Sequence, residues 1–445
     1  MICQINGFEP ISISGFGLIK VSSCNLVPLP PAKIITFIND YLNEFNLNKR
    51  YIFHFNNYFN KNNLYSYILT IYLIKKFMIK KIVFFVPNID DGGIEKNLVI
   101  LSNFFISKGY AIEVIFFRIS NNIKKKINKK VKLIKCKNLF SFTFVNQRIN
   151  NSINCFFYSL FSIKIDKKSV IFSMQDHPFA IIISLFKGTP SIIRIANHPI
   201  GSLKFFNNYF FFKIKLFVKI FFYHFANIII CNSKQSSNFF KKSLYIKKKV
   251  FYIYNPIKKI NYLYKNFKRN RYELLTVGRL ESQKNLTGML QAISIVKKKY
   301  KKIKLTIIGK GSQKNHLIKL SKKLKIQNNI VFEGYAKPDF YYKKKGIFIL
   351  NSFFEGLPNV LIEAMQYKIP IISTNCLSGP KEILENGKYG SLVNVKDYKN
   401  LAKKIEKNIN NYDSALTKAS KGHVSLTRFS ADKQCQKYLD ILRTL

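Results

Sequence analysis

Acidic side chains are scarce in this chain of 445 residues, which has 22 Asp and Glu residues against 74 Lys and Arg residues. The formal net charge of +52 predicts an anionic partner. No recognisable nucleic-acid-binding module or arginine-rich stripe accompanies the lysines, so specific binding to nucleic acid is not expected. We expect instead the anionic inner-leaflet surface of the plasma membrane, where each basic residue gains about 1 kcal/mol.

Cysteine is also sparse, and long apolar runs are missing. The seven cysteines, at positions 3, 24, 136, 155, 231, 376 and 435, show no spacing typical of metal ligands. The run near Leu64 to Leu73 is shorter than the roughly 20 residues that a membrane span requires. It also lacks a plausible cleavage site, so no signal peptide is assigned. We therefore expect a reduced, cytoplasmic protein that is at most peripheral to the membrane.

Residues 1–77 contain no glycine-rich turn, repeat or metal-binding pattern. Because Met78 looks like a natural start before the first strand, we interpret residues 1–77 as an upstream extension that folds as an appendage or not at all. Hydrophobic residues make up 47% of the chain and can fill two cores. By the usual domain size the remainder holds two domains, which we place at residues 78–260 and 261–430. We also expect a tail helix within residues 431–445 that crosses back to the first domain.

The segment Asn351 to Met365, with the sequence NSFFEGLPNVLIEAM, is the most informative part of the chain. The apolar run before it predicts a buried parallel strand, Gly356 a sharp turn, and Pro358 the first position of a helix. Backbone N–H groups near Gly356, Leu357 and Asn359 would point outwards with the positive end of the helix dipole. Such a helix start suits a pyrophosphate.

Two carboxylates, Glu355 and Glu363, flank this turn. The other residues of the helix that contains Glu363 are apolar on nearly every side, so we expect a helix that is buried all round. A buried carboxylate requires partners, which ribose hydroxyls could supply to Glu363 and sugar hydroxyls to Glu355. The alternative is that Glu355 is a solvated loop residue and Glu363 a charge on the helix surface.

A second cluster follows the predicted strand Glu273 to Val277, which ends at Gly278. Arg279 and Lys284 come next, in a polar loop before a helix. Two cations at the carboxyl end of a strand suit phosphate oxygens. In so basic a chain, a solvated surface role for the pair is equally open.

Glycine pairs follow two other predicted strands. Gly309 and Gly311, in the sequence LTIIGKG, either shape a strand-to-helix turn or let the backbone approach a ligand. Gly92 and Gly93 lie between a strand and a helix in the front half, within a βαβ unit.

Two histidines are candidates for a site at the carboxyl ends of the strands in the front half. His198 lies just beyond the predicted strand Ser191 to Ile195, so its side chain can reach the carboxyl ends of the sheet. His177 is a similar candidate, and a structural role is open for both. Asp176 is a further candidate for a polar group in a binding pocket of this half.

The segment from Tyr209 to Ile230 is rich in phenylalanine and carries Lys213, Lys215 and Lys219. The favoured interpretation is an internal helix with snorkelling lysines. The alternative is a helix that dips into an anionic membrane interface.

Taken in order, the motifs VGRL with a following lysine, IGKG, EGLPNVLIEA, SGPKEIL and GKYGSLV resemble the donor half of the family 4 retaining glycosyltransferases. The match covers Glu273 to about Ile405. Residues Gly92 to Glu95 are similar to the start of the acceptor domain in the same family, with Lys96 where an arginine is commoner. The resemblance implies an α/β fold of GT-B architecture, in which two Rossmann-like domains face each other across a cleft.

The resemblance also implies roles for single residues. Arg279 and Lys284 would bind the donor pyrophosphate. Glu355 and His198 would face the donor sugar, and Glu363 would hold the ribose. The candidate catalytic residues are thus Glu355, His198, Arg279 and Lys284. The candidate donor-binding residues are Gly92, Gly93, Gly278, Arg279, Lys284, Gly309, Gly311, Glu355, Gly356, Leu357, Pro358, Asn359, Val360 and Glu363.

The implied reaction moves a sugar from a nucleoside diphosphate sugar, a UDP-hexose or UDP-N-acetylhexosamine, to a hydroxyl of a glycan or lipid-linked acceptor, with retention. The wording of the motifs is similar to enzymes that build capsule, lipopolysaccharide and other surface glycans. Fixed cations and the helix start would neutralise the leaving diphosphate, so no metal ion or other cofactor is expected. Two alternatives stay open: an epimerase or hydrolase of nucleotide sugars, and a non-catalytic basic protein that binds lipid or nucleic acid.

Overall fold

The computed structural model describes residues 79–143, 145–198, 209–243, 249–257 and 267–445. The interpretation of residues 1–77 lies outside these ranges. The described residues build two large sheets and a separate pair of short strands. The strands of the first sheet are β1 (Lys81–Phe85), β3 (Ala111–Phe116), β5 (Lys132–Lys135), β6 (Ser169–Ser173), β7 (Ser191–Ile195), β8 (Ile228–Cys231) and β9 (Val250–Tyr252). The short pair is β2 (Asn88–Ile89) with β4 (Arg118–Ile119).

The second sheet follows in the sequence. Its strands are β10 (Asn270–Val277), β11 (Lys304–Ile308), β12 (Ile330–Gly334), β13 (Lys345–Leu350), β14 (Ile371–Thr374) and β15 (Ser391–Val393). The strand order is β5-β3-β1-β6-β7-β8-β9 in the first sheet and β12-β11-β10-β13-β14-β15 in the second. Neighbouring strands are parallel in both sheets.

Helices connect the strands. In the first half they are α1 (Gly93–Ser107), α2 (Asn121–Lys126), α3 (Gln147–Phe161), α4 (His177–Lys187), α5 (Tyr209–Tyr223) and α6 (Lys234–Ser243). In the second half they are α7 (Leu286–Lys299), α8 (Lys314–Lys323), α9 (Asp339–Lys344), α10 (Asn359–Gln366), α11 (Pro380–Ile383), α12 (Tyr398–Asn410), α13 (Tyr412–Val424) and α14 (Ala431–Leu442). No helix in the described ranges is long and apolar enough to cross a membrane.

Short runs of β-branched residues form several strands of the first sheet. The sequences SIIRI of β7 and IIIC of β8 are buried along their whole length. Continuous burial of this kind is typical of parallel sheets that helices cover on both faces. The carboxyl ends of the strands in such a sheet form one edge, and loops at that edge carry the candidate site residues.

The last helix, α14, packs on the first sheet although it follows the second sheet in the sequence. Tyr438, Leu439 and Leu442 are buried in the same core cluster as Phe172. The rings of Tyr438 and Phe172 are 5.9 Å apart. Full burial of a large apolar side chain is worth about 1.5–3 kcal/mol. These contacts therefore stabilise the packing of α14 on the first sheet.

Helix α5 is not the internal helix that the sequence favoured. It ends at Tyr223, and the strand β8 occupies the rest of the segment from Ile228. Tyr223 is 5% exposed, whereas Phe217 and Phe221 are 71% and 52% exposed. The expectation was wrong because both faces of this helix are apolar, and periodicity alone does not show which face is covered.

Candidate active site

The turn between β13 and α10 lies where the two sheets meet. Gly356 in this turn forms an antiparallel bridge with Asn197, which follows β7. A Cβ atom on Gly356 would lie 1.8 Å from the carbonyl oxygen of Ala196. Contact between the two halves of the molecule therefore requires glycine at this position.

Helix α10 begins at Asn359, with Pro358 as its N-cap and not as its first residue. Its first N–H groups have no partners within the helix, as at any helix start, and carry the positive end of the helix dipole. Leu357 is buried beside this start, while Val360 and Glu363 are half-buried. The expectation of a helix buried all round was thus wrong, because one side of α10 borders the space between the sheets.

Glu355 is buried, with 6% of its surface exposed. The ammonium group of Lys284 donates to its Oε1 at 2.6 Å, and the Ser352 hydroxyl donates to the same oxygen at 2.6 Å. A solvated loop residue is therefore excluded for Glu355. The paired ammonium group also compensates the buried negative charge, which would otherwise be costly.

Lys284 reaches Glu355 because β10 and β13 are neighbouring strands, so the loops that follow them share one edge of the sheet. The stem of Lys284 passes over Gly278, where an added Cβ would lie 3.3 Å from the lysine Cε. Arg279 is exposed at the same edge and lines a small pocket with Lys284 and Asn351. The structure thus brings Arg279, Lys284 and Glu355 together.

Gly309 and Gly311 lie directly behind this loop. A Cβ on Gly309, whose φ is +145°, would lie 1.9 Å from the carbonyl oxygen of Gly278. A Cβ on Gly311 would lie 2.4 Å from the carbonyl oxygen of Leu280. Backbone packing that supports the Arg279 loop accounts for both glycines. The helix that follows starts at Lys314.

Glu363 faces the first half of the molecule. Its Oε1 accepts a hydrogen bond from the ammonium group of Lys96 in α1 at 2.7 Å. Its Oε2 lies 3.5 Å from the hydroxyl of Tyr342. Burial and the nearby Glu363 carboxylate raise the pKa of Tyr342, so that hydroxyl stays protonated and acts as a donor. Glu363 is therefore a half-buried carboxylate beside the space between the sheets.

The Gly92–Gly93 loop lies against the start of α10. A Cβ on Gly93 would lie 3.2 Å from the amide nitrogen of the Asn359 side chain. Glu95, one turn into α1, is 4% exposed and accepts a hydrogen bond from the N–H of Asp90 at 3.3 Å. Burial raises the pKa of Glu95. The Glu95 carboxylate packs against the Gly92–Gly93 loop. The sequence did not predict this contact.

The two candidate histidines have different surroundings. His198 is buried next to Asn197, and its Nδ1 has no hydrogen-bond partner among the described residues. Burial lowers the pKa of His198, so the neutral form is favoured. The Nδ1 of His177 lies 2.8 Å from the Ser173 hydroxyl, within the first half of the molecule. Burial lowers the pKa of His177 to about 3.

Asp176 stays in the first half of the molecule as well. It has a left-handed backbone conformation, with φ +48°, and accepts a hydrogen bond from Ser152 at 2.6 Å. Of these three candidates, only His198 lies next to the bridge to Gly356.

Asn255 is a site residue that the sequence did not reveal. Its amide nitrogen donates to the carbonyl oxygen of Leu357 at 3.2 Å and to the side-chain oxygen of Asn359 at 2.5 Å. Its own side-chain oxygen accepts a hydrogen bond from the buried Arg194 at 2.5 Å. Asn255 thus connects Arg194 in β7 to the start of α10. The Tyr254-Asn255-Pro256 pattern is visible in the sequence, but its partners are not.

A second group of contacts that the sequence did not reveal joins the start of α6 to the loop before α11 and to α11 itself. The hydroxyls of Ser233 and Ser378 are 2.5 Å apart. The backbone N–H of Lys234 donates to Glu382 at 2.9 Å, and the hydroxyl of Tyr254 donates to the same carboxylate at 2.8 Å. These contacts hold the two halves together beside Gly356.

The assembled site holds a buried carboxylate, two cations, a helix start and a second carboxylate at one opening between two sheets. It can neutralise a diphosphate and accept hydrogen bonds from hydroxyl groups on either side of it. In the described ranges, no group of three or more His, Cys, Asp or Glu side chains is arranged to hold a metal ion. Independence of a metal ion stays a prediction.

Residues 261–422 match the family model described as glycosyl transferases group 1. An uncharacterized glycosyltransferase of Methanocaldococcus jannaschii is 33% identical over 222 residues, which are 46% of this chain and 54% of that protein. The chain thus spans about half the length of that relative. An alpha-1,4-N-acetyl-D-galactosaminyltransferase of Campylobacter jejuni, whose name includes an undecaprenol-linked GalNAc compound, is 27% identical and covers 73% of this chain and 88% of its own.

Other relatives are named for the synthesis of amylovoran, capsular polysaccharide or lipopolysaccharide. Among solved structures, Anabaena HepE in complex with UDP and glucose has a TM-score of 0.66 at 17% identity, covering 82% of this chain and all of that one. The likeness confirms the GT-B fold of two Rossmann-like domains. The predicted resemblance to group 1 glycosyltransferases is confirmed, while membership of family 4 and retention stay predictions.

Proposed function

From the match of residues 261–422 to the group 1 glycosyl transferases, on a GT-B fold, we propose that the protein is a retaining glycosyltransferase. It transfers a glycosyl unit from a nucleoside diphosphate sugar to an acceptor hydroxyl. One observation supports this proposal above others: the buried Glu355 is held by Lys284 beside Gly356, at the start of α10. A carboxylate, a cation and a helix start in contact suit a sugar joined to a diphosphate.

The leaving diphosphate sits between the cations and the helix start. Arg279 forms bidentate hydrogen bonds to phosphate oxygens, and Lys284 supplies a point charge. The N–H groups of Asn359 and Val360 add partial positive charge from the other side. Stabilisation of the departing UDP is thus the main catalytic contribution, and it requires no metal ion.

The two carboxylates orient the donor at its ends. Glu355 accepts hydrogen bonds from sugar hydroxyls and keeps its contact with Lys284. Glu363 accepts hydrogen bonds from the ribose, in place of its present contact with Lys96. His198, neutral because burial lowers its pKa, hydrogen-bonds the donor sugar through its unpaired Nδ1.

Transfer proceeds on the front face of the sugar. The bond between the anomeric carbon and the diphosphate oxygen breaks, and the acceptor oxygen bonds to the same face of that carbon. The acceptor proton passes to the departing diphosphate, so the configuration is retained without a covalent enzyme intermediate. Contacts between the two halves exclude water from this step.

The donor is a UDP-hexose or UDP-N-acetylhexosamine, in line with the Anabaena structure that holds UDP and glucose. The acceptor is a glycan or lipid-linked glycan on the way to capsule, lipopolysaccharide or another surface glycan, as the names of relatives suggest. The protein works in the cytoplasm, where UDP-sugars are available.

A panel of nucleotide sugars tests this proposal. The full chain is expected to unfold at a higher temperature with at least one UDP-sugar, because ligands that bind the native state stabilise it. With a glycan or lipid-linked acceptor the sugar should appear on the acceptor, with α linkage from an α-linked donor, and EDTA should not lower the rate. The variant Glu355→Gln, which removes the charge but hardly changes the size of the side chain, should fold and should not transfer sugar to the acceptor.

Two other functions give different products. A nucleotide-sugar epimerase or hydrolase consumes the donor at the same rate with or without an acceptor. A non-catalytic basic protein shows no thermal shift with any nucleotide sugar. Either result would contradict glycosyl transfer.

A further inference from the structure

The outward face of α5 carries an apolar stripe that the site does not use. Ile214, Phe217, Val218 and Phe221 are spaced i, i+3, i+4 and i+7, which places them on one side of the helix. They are 45%, 71%, 43% and 52% exposed. A continuous exposed apolar stripe of this kind marks an interaction surface.

The opposite side of α5 already anchors the helix to the protein. Tyr223 is buried, and its ring lies 5.7 Å from that of Phe240 in α6. Ile220 packs against the same core cluster. The outward stripe is thus not needed to hold α5 on the sheet, and its apolar character needs another explanation.

Positive charge surrounds the stripe. Lys213 and Lys215 lie on either side of Ile214, and Lys219 lies one turn further along; all three are exposed. Helix α4, which packs against α5, and the neighbouring α3 and α6 contain basic residues but no Asp or Glu. One acidic group, Asp176 at the N-cap of α4, interacts electrostatically with Lys219. The surface is therefore apolar along its centre and cationic at its margins.

We propose that this face of α5 docks on an anionic lipid bilayer. A helix with lysines beside an exposed apolar stripe lies in the plane of the interface, with its apolar side chains among the acyl chains. The lysines then meet anionic headgroups. Single-stranded nucleic acid would complement the charge and the rings of Phe217 and Phe221. The aliphatic side chains of Ile214 and Val218 in the same stripe, however, suit acyl chains and not bases.

The absence of tryptophan from this chain permits a direct test. Phe217→Trp places a single indole on the stripe, and Phe340→Trp places one at an exposed position of α9, where Phe340 is 55% exposed. The full chain is mixed at physiological salt with vesicles of phosphatidylcholine alone, or of phosphatidylcholine with phosphatidylglycerol. We expect the emission of Phe217→Trp to shift to shorter wavelength with the anionic vesicles only, and that of Phe340→Trp to stay unchanged.

A pair of triple variants tests the charge. Lys213→Gln, Lys215→Gln and Lys219→Gln together should weaken vesicle binding about 100-fold, because three lysines lose their contact with anionic lipid. The matched control replaces Lys124, Lys125 and Lys126 of α2, which are also exposed, by glutamine. This control removes the same charge and should change the affinity by less than about threefold, since α2 packs against α1 whereas α5 packs against α4.

Three results would overturn the proposal. They are an equal shift in both tryptophan variants, an equal loss of binding in both triple variants, and a shift of Phe217→Trp with a single-stranded oligonucleotide but not with vesicles. None of these measurements uses sugar transfer. Membrane docking and the proposed enzymatic function can therefore fail independently.

Discussion

The ammonium group of Lys96 lies 2.7 Å from Oε1 of Glu363 and joins helix α1 of the first half to helix α10 of the second. The side chain of Glu363 is 18% exposed and that of Lys96 is 58% exposed. An ion pair with one partner so exposed contributes little stability. Its importance lies in where it holds the carboxylate, at the edge of the space between the two sheets.

Replacement of Glu363 by glutamine tests its role toward the nucleoside. A hydrogen bond to a charged group is worth about 1.5–3 kcal/mol, so Glu363→Gln should weaken UDP binding by about 10- to 100-fold in calorimetric titration. Lys96→Gln is the matched control, because it breaks the same ion pair and keeps the carboxylate. UDP affinity that falls equally in both variants would show that the ion pair, and not a ribose contact, matters.

Lys284→Met should destabilise the fold as well as abolish transfer. It leaves the buried Glu355 carboxylate without its cation, which costs about 3 kcal/mol in the free energy of unfolding, measured with urea. The double variant Lys284→Met with Glu355→Gln should regain most of that stability and stay inactive. A double variant no more stable than the single one would contradict the assigned pairing.

Gly356→Ala should separate the two halves of the molecule. The added Cβ would meet the carbonyl oxygen of Ala196 at 1.8 Å, and this neighbour is backbone, which cannot rotate away as the end of a side chain can. Overpacking of this kind costs about 1–3 kcal/mol, so we expect weaker UDP binding and a larger radius of gyration in solution scattering.

Gly93→Ala is the control for Gly356→Ala, because its added Cβ meets a much smaller steric conflict. Its nearest neighbour is the end of the Asn359 side chain, at 3.2 Å, which needs to move by only a few tenths of an ångström. The radius of gyration should not change in this variant. A compact Gly356→Ala protein with normal UDP affinity would refute the packing argument.

Acid should destabilise the protein through His177. Burial lowers its pKa to about 3 in the folded state, against about 6.5 when unfolded. Because only the unfolded chain takes up this proton, stability is complete above pH 6.5 and falls as the pH decreases toward 3. Between pH 7 and pH 5 the loss from this group is about 2 kcal/mol.

Urea unfolding at pH 7 and pH 5 measures this loss. In His177→Gln the decrease in the free energy of unfolding between the two values should be smaller than in the unchanged protein by that amount. An equal decrease in both proteins would assign the acid sensitivity to other groups.

Local patterns identified the parts of the site with good accuracy. The apolar runs before Gly278 and Asn351 are strands, and the loops after them carry Arg279, Lys284 and Glu355. A short apolar run that ends in glycine and polar residues determines a strand end through its own chemistry. Parallel pairing then brings such ends to one edge.

Contacts between distant residues could not be predicted in this way. Nothing near Asn255 in the sequence shows that it bonds to Leu357 and Asn359, more than 100 residues away. The internal position expected for α5 was also wrong, because apolar residues occupy both of its sides and do not show which side is covered. Such contacts depend on how whole elements pack, which local periodicity does not contain.

The sequence by itself determined the α/β class, the strand ends and the identity of the charged residues at the site, because these follow from short-range hydrophobic pattern and turn chemistry. Only the tertiary structure decided that Gly356 touches Ala196, that Lys284 neutralises Glu355, and that Phe217 faces outwards. Each of these depends on the shape of surfaces built from residues far apart in the chain. Packing in three dimensions, and not local preference, selects among the partners that the sequence allows.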